Sequence, residues 1–249
     1  MPPDDLHIWY VFTDKVTGPE LLDSYRRLLN QEERQRCQRF LFDKDRHQCL
    51  VTRALVRTTL SRYSDVDPRA WRFVENAYGR PEIESPSAAG HLRFNLSHTR
   101  GVVACAVVCD DDVGIDVEDL RRRTATLDIA RRHFAAAEMD FLEALPEHRR
   151  KDAFFDFWTL KEAYIKARGM GLAIPLGDFS FELSEHHLPK IRFAAGFEDD
   201  PRAWQFDLRR LTARYKLAVA LRRPAEREVR IECREVIPGW PPSGAAASK

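Results

Sequence analysis

The hydrophobic pattern of the first 110 residues changes between strand and helix periods. Residues 7–12 alternate and are rich in aromatic side chains, which predicts a first strand. Residues 19–40 and 43–63 carry apolar side chains at helical spacing and are predicted helices. Further strands are predicted at 71–74, 92–96 and 102–108, and Gly79 and Pro81 predict a turn at 77–81. The strand at 92–96 is expected to stop before Ser97.

The same order of elements recurs in the rest of the chain. The pattern predicts a strand at 114–118, and then helices at 125–134, 136–144 and 151–168. Four more strands are predicted at 179–183, 191–194, 204–211 and 215–221, and 229–236 is a candidate to close the sheet. This repetition predicts an α+β fold of two halves, residues 1–112 and 113–237, with a ligand-binding cleft between them. The tail, 238–249, is rich in Pro, Gly, Ala and Ser and is predicted to be disordered.

The helix predicted at 151–168 is apolar on nearly all sides, which is typical of a buried helix. Glu162 and Lys166 nevertheless lie four residues apart on one face of it. One interpretation is a common surface ion pair, worth about 0.2–0.5 kcal/mol. The other is the floor of a functional site, because a buried charge is costly unless a ligand or partner compensates it.

Composition narrows the function classes. With 44% hydrophobic residues, 15 Phe and 5 Trp, the 249-residue chain is expected to form well-packed cores. The net charge of +1 does not favour nucleic acid as a partner. The arginine runs at 121–123 and 131–132 are typical of solvated faces or of docking sites for an acidic partner. No signal peptide or membrane span is expected, which predicts a cytoplasmic protein.

The five cysteines have irregular spacing that does not match a zinc site. They are predicted to be small buried apolar residues in a reducing compartment. They are Cys37, Cys49, Cys105, Cys109 and Cys233.

Residues 114–118, Gly-Ile-Asp-Val-Glu, place two carboxylates on one face of a strand. Asp116 and Glu118 would repel each other unless a cation lies between them, and an all-oxygen ligand set suits Mg²⁺. Glu162 would supply a third oxygen ligand. Since Mg²⁺ commonly binds few carboxylates together with substrate phosphates, a phosphate-bearing substrate is indicated. The alternative is a solvated edge strand with acidic side chains facing outward.

Residues 94–99, Phe-Asn-Leu-Ser-His-Thr, offer hydroxyls, an imidazole and backbone N–H groups that could surround a phosphate. The alternative is an ordinary polar turn. Scattered arginines could add bidentate phosphate contacts, although each alone is more typical of a surface residue. They are Arg36, Arg53, Arg57 and Arg80.

Taken together, the motifs N-L-S-H, G-I-D-V-E and W-T-L-K-E-A-Y-I-K-A with G-M-G-L resemble the 4′-phosphopantetheinyl transferases of the monomeric, surfactin-synthetase-activator (Sfp) type. The resemblance covers roughly residues 8–222 and includes R-F-L-F and A-L-V-R within 34–57. It implies two pseudo-symmetric halves with small, mostly antiparallel sheets and an active site in the cleft. It also implies a monomer that moves the phosphopantetheine arm of coenzyme A to a serine of an apo acyl or peptidyl carrier protein and releases 3′,5′-ADP.

The resemblance also implies residue roles. Asp116, Glu118 and Glu162 would hold Mg²⁺ against the pyrophosphate, Lys166 would contact the same phosphates, and Glu162 would be the base, directly or through a bound water. The contacts to coenzyme A would come from Arg36, Arg80, Asn95, Ser97 and His98, with Arg53 a weaker candidate.

The acidic carrier would dock on the arginines Arg121, Arg122, Arg123, Arg131 and Arg132, with Phe134 and Phe141 as apolar anchors.

The chain departs from the family pattern at Glu33, where some relatives carry a phosphate-binding lysine. Glu118 is a less secure metal ligand than Asp116. Two competing hypotheses remain. One is a Mg²⁺-dependent nucleotide hydrolase, against which stands the lack of a Gly-rich phosphate loop in the sequence. The other is a catalytically silent module that binds coenzyme A or a carrier protein.

Overall fold

A computed structural model describes residues 1–122, 126–184, 187–224, 226–227 and 229–239. The chain divides into two compact units. Of the described residues, the first unit contains those of Met1–Val74, Pro81–Asp110 and 229–239, and the second contains those of Glu75–Arg80 and 111–227. Arg123 and the predicted disordered tail from residue 240 onward lie outside the described residues.

The first unit is built on a four-stranded sheet of β1 (Asp5–Phe12), β4 (Leu92–Thr99), β5 (Val102–Cys109) and β11 (Arg230–Glu235). The strand order is β11-β1-β5-β4. β5 pairs antiparallel with β1 and β4, whereas β11 pairs parallel with β1. Helices α1 (Pro19–Leu28), α2 (Gln31–Gln38) and α3 (Asp43–Leu60) accompany the sheet, and β2 (Arg72–Glu75) and β3 (Pro81–Ser85) form a two-stranded ribbon. β5 is buried along its whole length, as its continuous apolar sequence predicts.

The prediction of a single helix at 19–40 is wrong, because the helix is interrupted between α1, which ends at Leu28, and α2, which begins at Gln31. Asn30 caps α2: its side chain accepts from the Glu33 N–H, while the Glu33 carboxylate accepts from the Asn30 N–H. Glu33 also forms a buried ion pair with Arg57, whose Nη2 lies 2.7 Å from Glu33 Oε2. Arg57 therefore stabilises the α2–α3 packing and is not a phosphate contact as proposed from the sequence.

The cysteine prediction is wrong for two of the five residues. Cys37 in α2 and Cys49 in α3 form a disulfide bond. Cys105 and Cys109 are buried on β5, as expected, and Cys233 is half-buried. Two cysteines 12 residues apart reveal nothing about pairing by their spacing, since pairing depends on how two helices pack.

The second unit combines a three-stranded antiparallel sheet with a separate hairpin. The sheet contains β6 (Val113–Asp119), β9 (Trp204–Arg210) and β10 (Tyr215–Arg222), in the order β6-β10-β9. The hairpin contains β7 (Phe179–Glu182) and β8 (Lys190–Phe193). Its helices are α4 (Thr126–His133), α5 (Ala136–Ala144) and α6 (Glu147–Arg168). The α+β class predicted from the sequence is confirmed. The predicted second half, 113–237, extends too far, because β11 pairs with β1 of the first unit.

Helix α6 lies directly on β6 and β10 and is the centre of the second unit's core. A Cβ at Gly114 would overlap the Ala163 carbonyl oxygen and the Ala167 nitrogen, so only glycine allows this close approach. Gly169, at φ 63°, ends the helix in the left-handed conformation. The prediction that this helix is buried is confirmed. In the described part of the chain, no helix has the length and apolarity needed to cross a membrane.

Candidate active site

The two carboxylates of β6 face α6. Asp116 and Glu118 are 5% and 7% exposed, and strand alternation places both on the same side of the sheet. The alternative of a solvated edge strand is therefore wrong. Because β6 is buried throughout, both carboxylates need compensating partners.

One stripe of α6 supplies those partners. Trp158, Glu162 and Lys166 follow one another at intervals of four residues and so share a helix face. Lys166 Nζ lies 2.6 Å from Asp116 Oδ1, and Trp158 Nε1 donates to Glu118 Oε1 at 3.0 Å. The helix therefore runs antiparallel to β6, and Glu162 lies between its two neighbours on the stripe.

Asp116, Glu118 and Glu162 form an acidic centre in which the pKa values of two of the three carboxyl groups are raised. Burial, with the nearby charge of Asp116, raises the pKa of Glu118 to about 7 against the opposing effects of Arg122, Trp158 and Lys166. Burial and then Asp116 also raise the pKa of Glu162, and Lys166 lowers it. Two carboxyl groups that resist ionisation beside a third indicate a place where additional positive charge would be stabilising.

The donor chemistry at this centre fits a hard divalent cation. Asp116, Glu118 and Glu162 offer only carboxylate oxygens, the ligands that Mg²⁺ prefers. Among the described residues, however, no three acidic, histidine or cysteine side chains converge tightly enough to form a ready-made metal cluster. Lys166 supplies positive charge to Asp116, and Arg122 Nη1 lies 3.4 Å from Glu118 Oε2. The carboxylates would have to turn toward a shared ion, and Glu118 is the one most engaged elsewhere.

Arg80 lies at the C-terminal end of α6. Its Nη1 donates to the Ala167 carbonyl at 2.9 Å, and a Cβ on Gly169 would come within 2.8 Å of the guanidinium. Asp112 Oδ1 lies 3.9 Å from the same nitrogen. Arg80 thus satisfies an otherwise open helix-end carbonyl, in addition to any role toward a ligand.

In the first unit, Arg36, Arg53 and His98 line a cavity of about 200 Å³. Gln48 Nε2 lies 2.8 Å from His98 Nδ1 and orients the imidazole against α3. Cys49, Thr52, Phe40 and Asp45 complete the wall. The structure therefore brings two of the predicted arginines and the predicted histidine together around one small space.

The polar segment at 97–99 is part of β4, which corrects the prediction that the strand stops before Ser97. Ser97 and His98 pair with Ala104 and Val103 of β5. Asn95 and Ser97 are buried on one face of the strand, whereas His98 is exposed and projects from the other. Asn95 and Ser97 do not line the cavity that contains His98.

The residues predicted to dock a carrier divide into two groups. Arg131 and Arg132 are exposed on α4, and Phe141 is 40% exposed on α5. Phe134 is buried and stacks on Phe154, so it is unavailable as the predicted surface anchor. Arg121 and Arg122 are exposed, and Arg122 is tied to Glu118.

Sequence reasoning missed Trp158, although its position four residues before Glu162 could have identified it as part of the stripe. It also missed Gln48 and Cys49, which contribute to the first unit's cavity. No sequence signal points to Cys49, because its position depends on the packing of α2 against α3.

Two family models match the chain. Residues 18–110 match the N-terminal model of the 4′-phosphopantetheinyl transferases, and residues 112–220 match the 4′-phosphopantetheinyl transferase superfamily. The second match contains the acidic centre, and the first contains the Arg36–His98 cavity. These matches define the class as enzymes of group transfer.

Curated relatives agree. The chain is 32% identical to a 4′-phosphopantetheinyl transferase of Bacillus subtilis over 193 residues, which is 78% of this chain and 84% of the relative. It is 33% identical to 4′-phosphopantetheinyl transferase Sfp of Bacillus subtilis strain 168, covering 72% of this chain and 78% of Sfp. It is also 34% identical to 4′-phosphopantetheinyl transferase HetI of a Nostoc species, covering 68% and 71%. The chain belongs to the 4′-phosphopantetheinyl transferase family and is of the Sfp type.

Among solved structures, a Bacillus anthracis holo-(acyl-carrier-protein) synthase in complex with CoA (3′,5′-ADP) aligns with a TM-score of 0.36 and 20% identity. The alignment covers 44% of this chain and 93% of the synthase.

Proposed function

We propose that the protein transfers the 4′-phosphopantetheine arm of coenzyme A to a serine of an apo acyl or peptidyl carrier protein, with Mg²⁺, and releases 3′,5′-ADP. The observation that carries the proposal is the contact of a buried carboxylate, Asp116, with a half-buried stripe that holds Glu162 and Lys166, within the segment that matches the transferase superfamily. Its acidic side chains and its single lysine suit a reaction at a pyrophosphate.

Asp116 and Glu162 would hold the divalent ion, and Glu118 would join them once its carboxylate turns from Trp158 and Arg122. The bound ion would neutralise negative charge on the pyrophosphate and on the departing oxygen. Residues of the chain would perform the remaining steps.

Glu162 would accept the serine proton as the serine oxygen forms its bond to the β-phosphorus. A base is most effective when its pKa lies near the working pH, and burial beside Asp116 shifts the pKa of Glu162 upward in that direction. The bond from the β-phosphorus to the bridging oxygen then breaks, and the electron pair leaves with 3′,5′-ADP. Lys166, with 28% of its side chain exposed, would exchange its contact with Asp116 for the phosphate oxygens.

The nucleotide end of coenzyme A would bind through Arg36 and His98, with Arg53 contributing to the same cavity. A cavity of about 200 Å³ with two arginines suits a phosphate group. Arg80, Asn95 and Ser97 remain proposed contacts outside that cavity. The acidic carrier would dock on Arg131 and Arg132, with Phe141 as the apolar anchor. Cytoplasmic location and a monomeric state stay predictions.

The test is to incubate the protein with coenzyme A, Mg²⁺ and a panel of apo carrier proteins, and to measure the carrier masses. Phosphopantetheine should appear on the carrier, disappear when a chelator is added, and return with excess Mg²⁺. Carriers that all retain their apo mass would contradict the proposed reaction. Full transfer in the presence of chelator would contradict the metal requirement alone.

A further inference from the structure

A disulfide bond connects the end of α2 to the start of α3. Cys37 lies one residue before the last residue of α2, and Cys49 lies in the second turn of α3. The loop between the helices carries Phe40, Leu41 and Phe42, which are 44%, 79% and 56% exposed. Such exposed side chains bury little apolar surface, so they contribute little to holding the loop in place.

The same disulfide borders the cavity of Arg36, Arg53 and His98. Cys49 is part of the cavity wall. Arg36 directly precedes Cys37, and Gln48, which contacts His98 Nδ1, directly precedes Cys49. Each half of the disulfide is therefore covalently adjacent to a residue that forms the cavity.

Other contacts anchor the two ends of this region unequally. The N-terminal half of α2 is fixed by the Asn30 cap and by the buried Glu33–Arg57 ion pair. The α2–α3 loop is held to α3 through Arg46, whose Nη1 donates to the Phe40 and Leu41 carbonyls at 2.6 and 3.0 Å. The disulfide is the covalent connection at the C-terminal end of α2 itself. Its reduction is expected to loosen the position of Arg36 while the unit stays folded.

We infer that the Cys37–Cys49 disulfide positions Arg36 and the Gln48–His98 pair for the nucleotide end of coenzyme A, so that its reduction weakens coenzyme A binding. The inference rests on the proposed function. A dithiol reductant would transfer two electrons and two protons to the disulfide, leaving thiols at Cys37 and Cys49 and a cyclic disulfide in the reductant. Substrate affinity would thus respond to the thiol–disulfide balance of the surroundings.

The test compares oxidised and reduced protein. Alkylation under denaturing conditions should label three cysteines in the oxidised form and five in the reduced form, since two of five are disulfide-bonded. We expect reduction to raise the KM for coenzyme A and the Kd of 3′,5′-ADP about fivefold, the effect of one weakened hydrogen bond to a charged group. The kcat and the KM for the carrier should not change. The nucleotide 3′,5′-ADP is used because it has no thiol of its own.

Variants separate a local effect from unfolding. Cys37→Ser and Cys49→Ser should each reproduce the reduced protein and lose their response to reductant. Cys233→Ser is the matched control, since Cys233 is a half-buried cysteine outside the disulfide, and it should keep the wild-type response. Far-UV circular dichroism should be alike in all forms.

Equal KM and Kd values in the two redox states would overturn the inference while leaving the proposed function intact. Five alkylated cysteines in air-oxidised protein would overturn it as well. Redox-dependent binding of 3′,5′-ADP without transfer to any carrier would support the inference and contradict the proposed function. Absence of both binding and transfer would contradict both.

Discussion

Lys166 Nζ lies 2.6 Å from Asp116 Oδ1, so the lysine pairs with a strand residue 50 positions away. Glu162, one helical turn before Lys166, is the partner that sequence spacing alone would favour. In the structure Lys166 pairs with β6, and Glu162 is half-buried beside the charge of Asp116. Lys166 therefore has its ion pair on β6, whereas Glu162 is the proposed metal ligand and base.

Glu162→Gln should lower kcat for phosphopantetheine transfer by about 100-fold or more, the usual contribution of a general base. Because burial and Asp116 disfavour the ionised form of Glu162, the free energy of unfolding should stay the same or rise by up to about 1 kcal/mol. The rate at which the carrier gains mass measures kcat, and urea unfolding measures the free energy of unfolding. Glu182→Gln, at an exposed position of β7, is the control and should change neither. Loss of more than about 2 kcal/mol would show that Glu162 has a structural role instead.

Gly114→Ala should destabilise the protein by about 2–3 kcal/mol, because the added Cβ forces α6 away from β6. Transfer should fall with it, since the same contact places Glu162 and Lys166 beside Asp116. Gly177→Ala is the matched control: its Cβ would come no nearer than 3.8 Å to His133 O, and we expect a change below about 1 kcal/mol. Urea unfolding compares the two variants, and equal midpoints would contradict the steric argument.

The buried pair of Lys161 and Glu138 should prove structural. Lys161 Nζ lies 2.8 Å from Glu138 Oε2 and donates to the Leu176 and Phe179 carbonyls, and both side chains are fully buried. Lys161→Met should cost about 3–5 kcal/mol because it leaves the Glu138 carboxylate without a cation. Adding Glu138→Gln should recover at least about 1 kcal/mol of that loss. A double-mutant cycle in urea measures the coupling, with the exposed Arg192–Glu182 pair as a control expected below about 0.5 kcal/mol. Simple additivity at Lys161 and Glu138 would contradict the prediction.

Charge reversal at Arg131 and Arg132 should raise the KM for the carrier about tenfold, because an acidic partner would meet like charge. The KM for coenzyme A should remain unchanged, which steady-state kinetics with each substrate varied in turn would measure. Lys190→Glu with Arg202→Glu, exposed positions of the same unit, is the matched control. Wild-type carrier kinetics in the α4 variant would exclude this docking surface.

Most of the correctly predicted helices and strands follow from the spacing of apolar side chains along the sequence. The helix at 136–144 and the strand at 102–108 agree with α5 and β5 to within a residue, because each depends on a local pattern of apolar side chains. The break between α1 and α2 was missed because residues 30–36 are all polar and carry no apolar spacing that would mark a new helix. The capping role of Asn30 depends on the backbone turning there. The placement of β11 beside β1 depends on a pairing between the two ends of the chain, which a local pattern cannot encode.

The sequence by itself determined that Asp116 and Glu118 share a strand face and that Glu162 and Lys166 share a helix face, because both relations follow from fixed backbone periods. Only the tertiary structure decided which faces meet. It pairs Lys166 with Asp116 and Trp158 with Glu118, buries Lys161 with Glu138, and joins Cys37 to Cys49. It also continues β4 through Ser97 and His98, which places their side chains on opposite faces of the sheet. These outcomes depend on contacts between distant segments, whose register is set by packing.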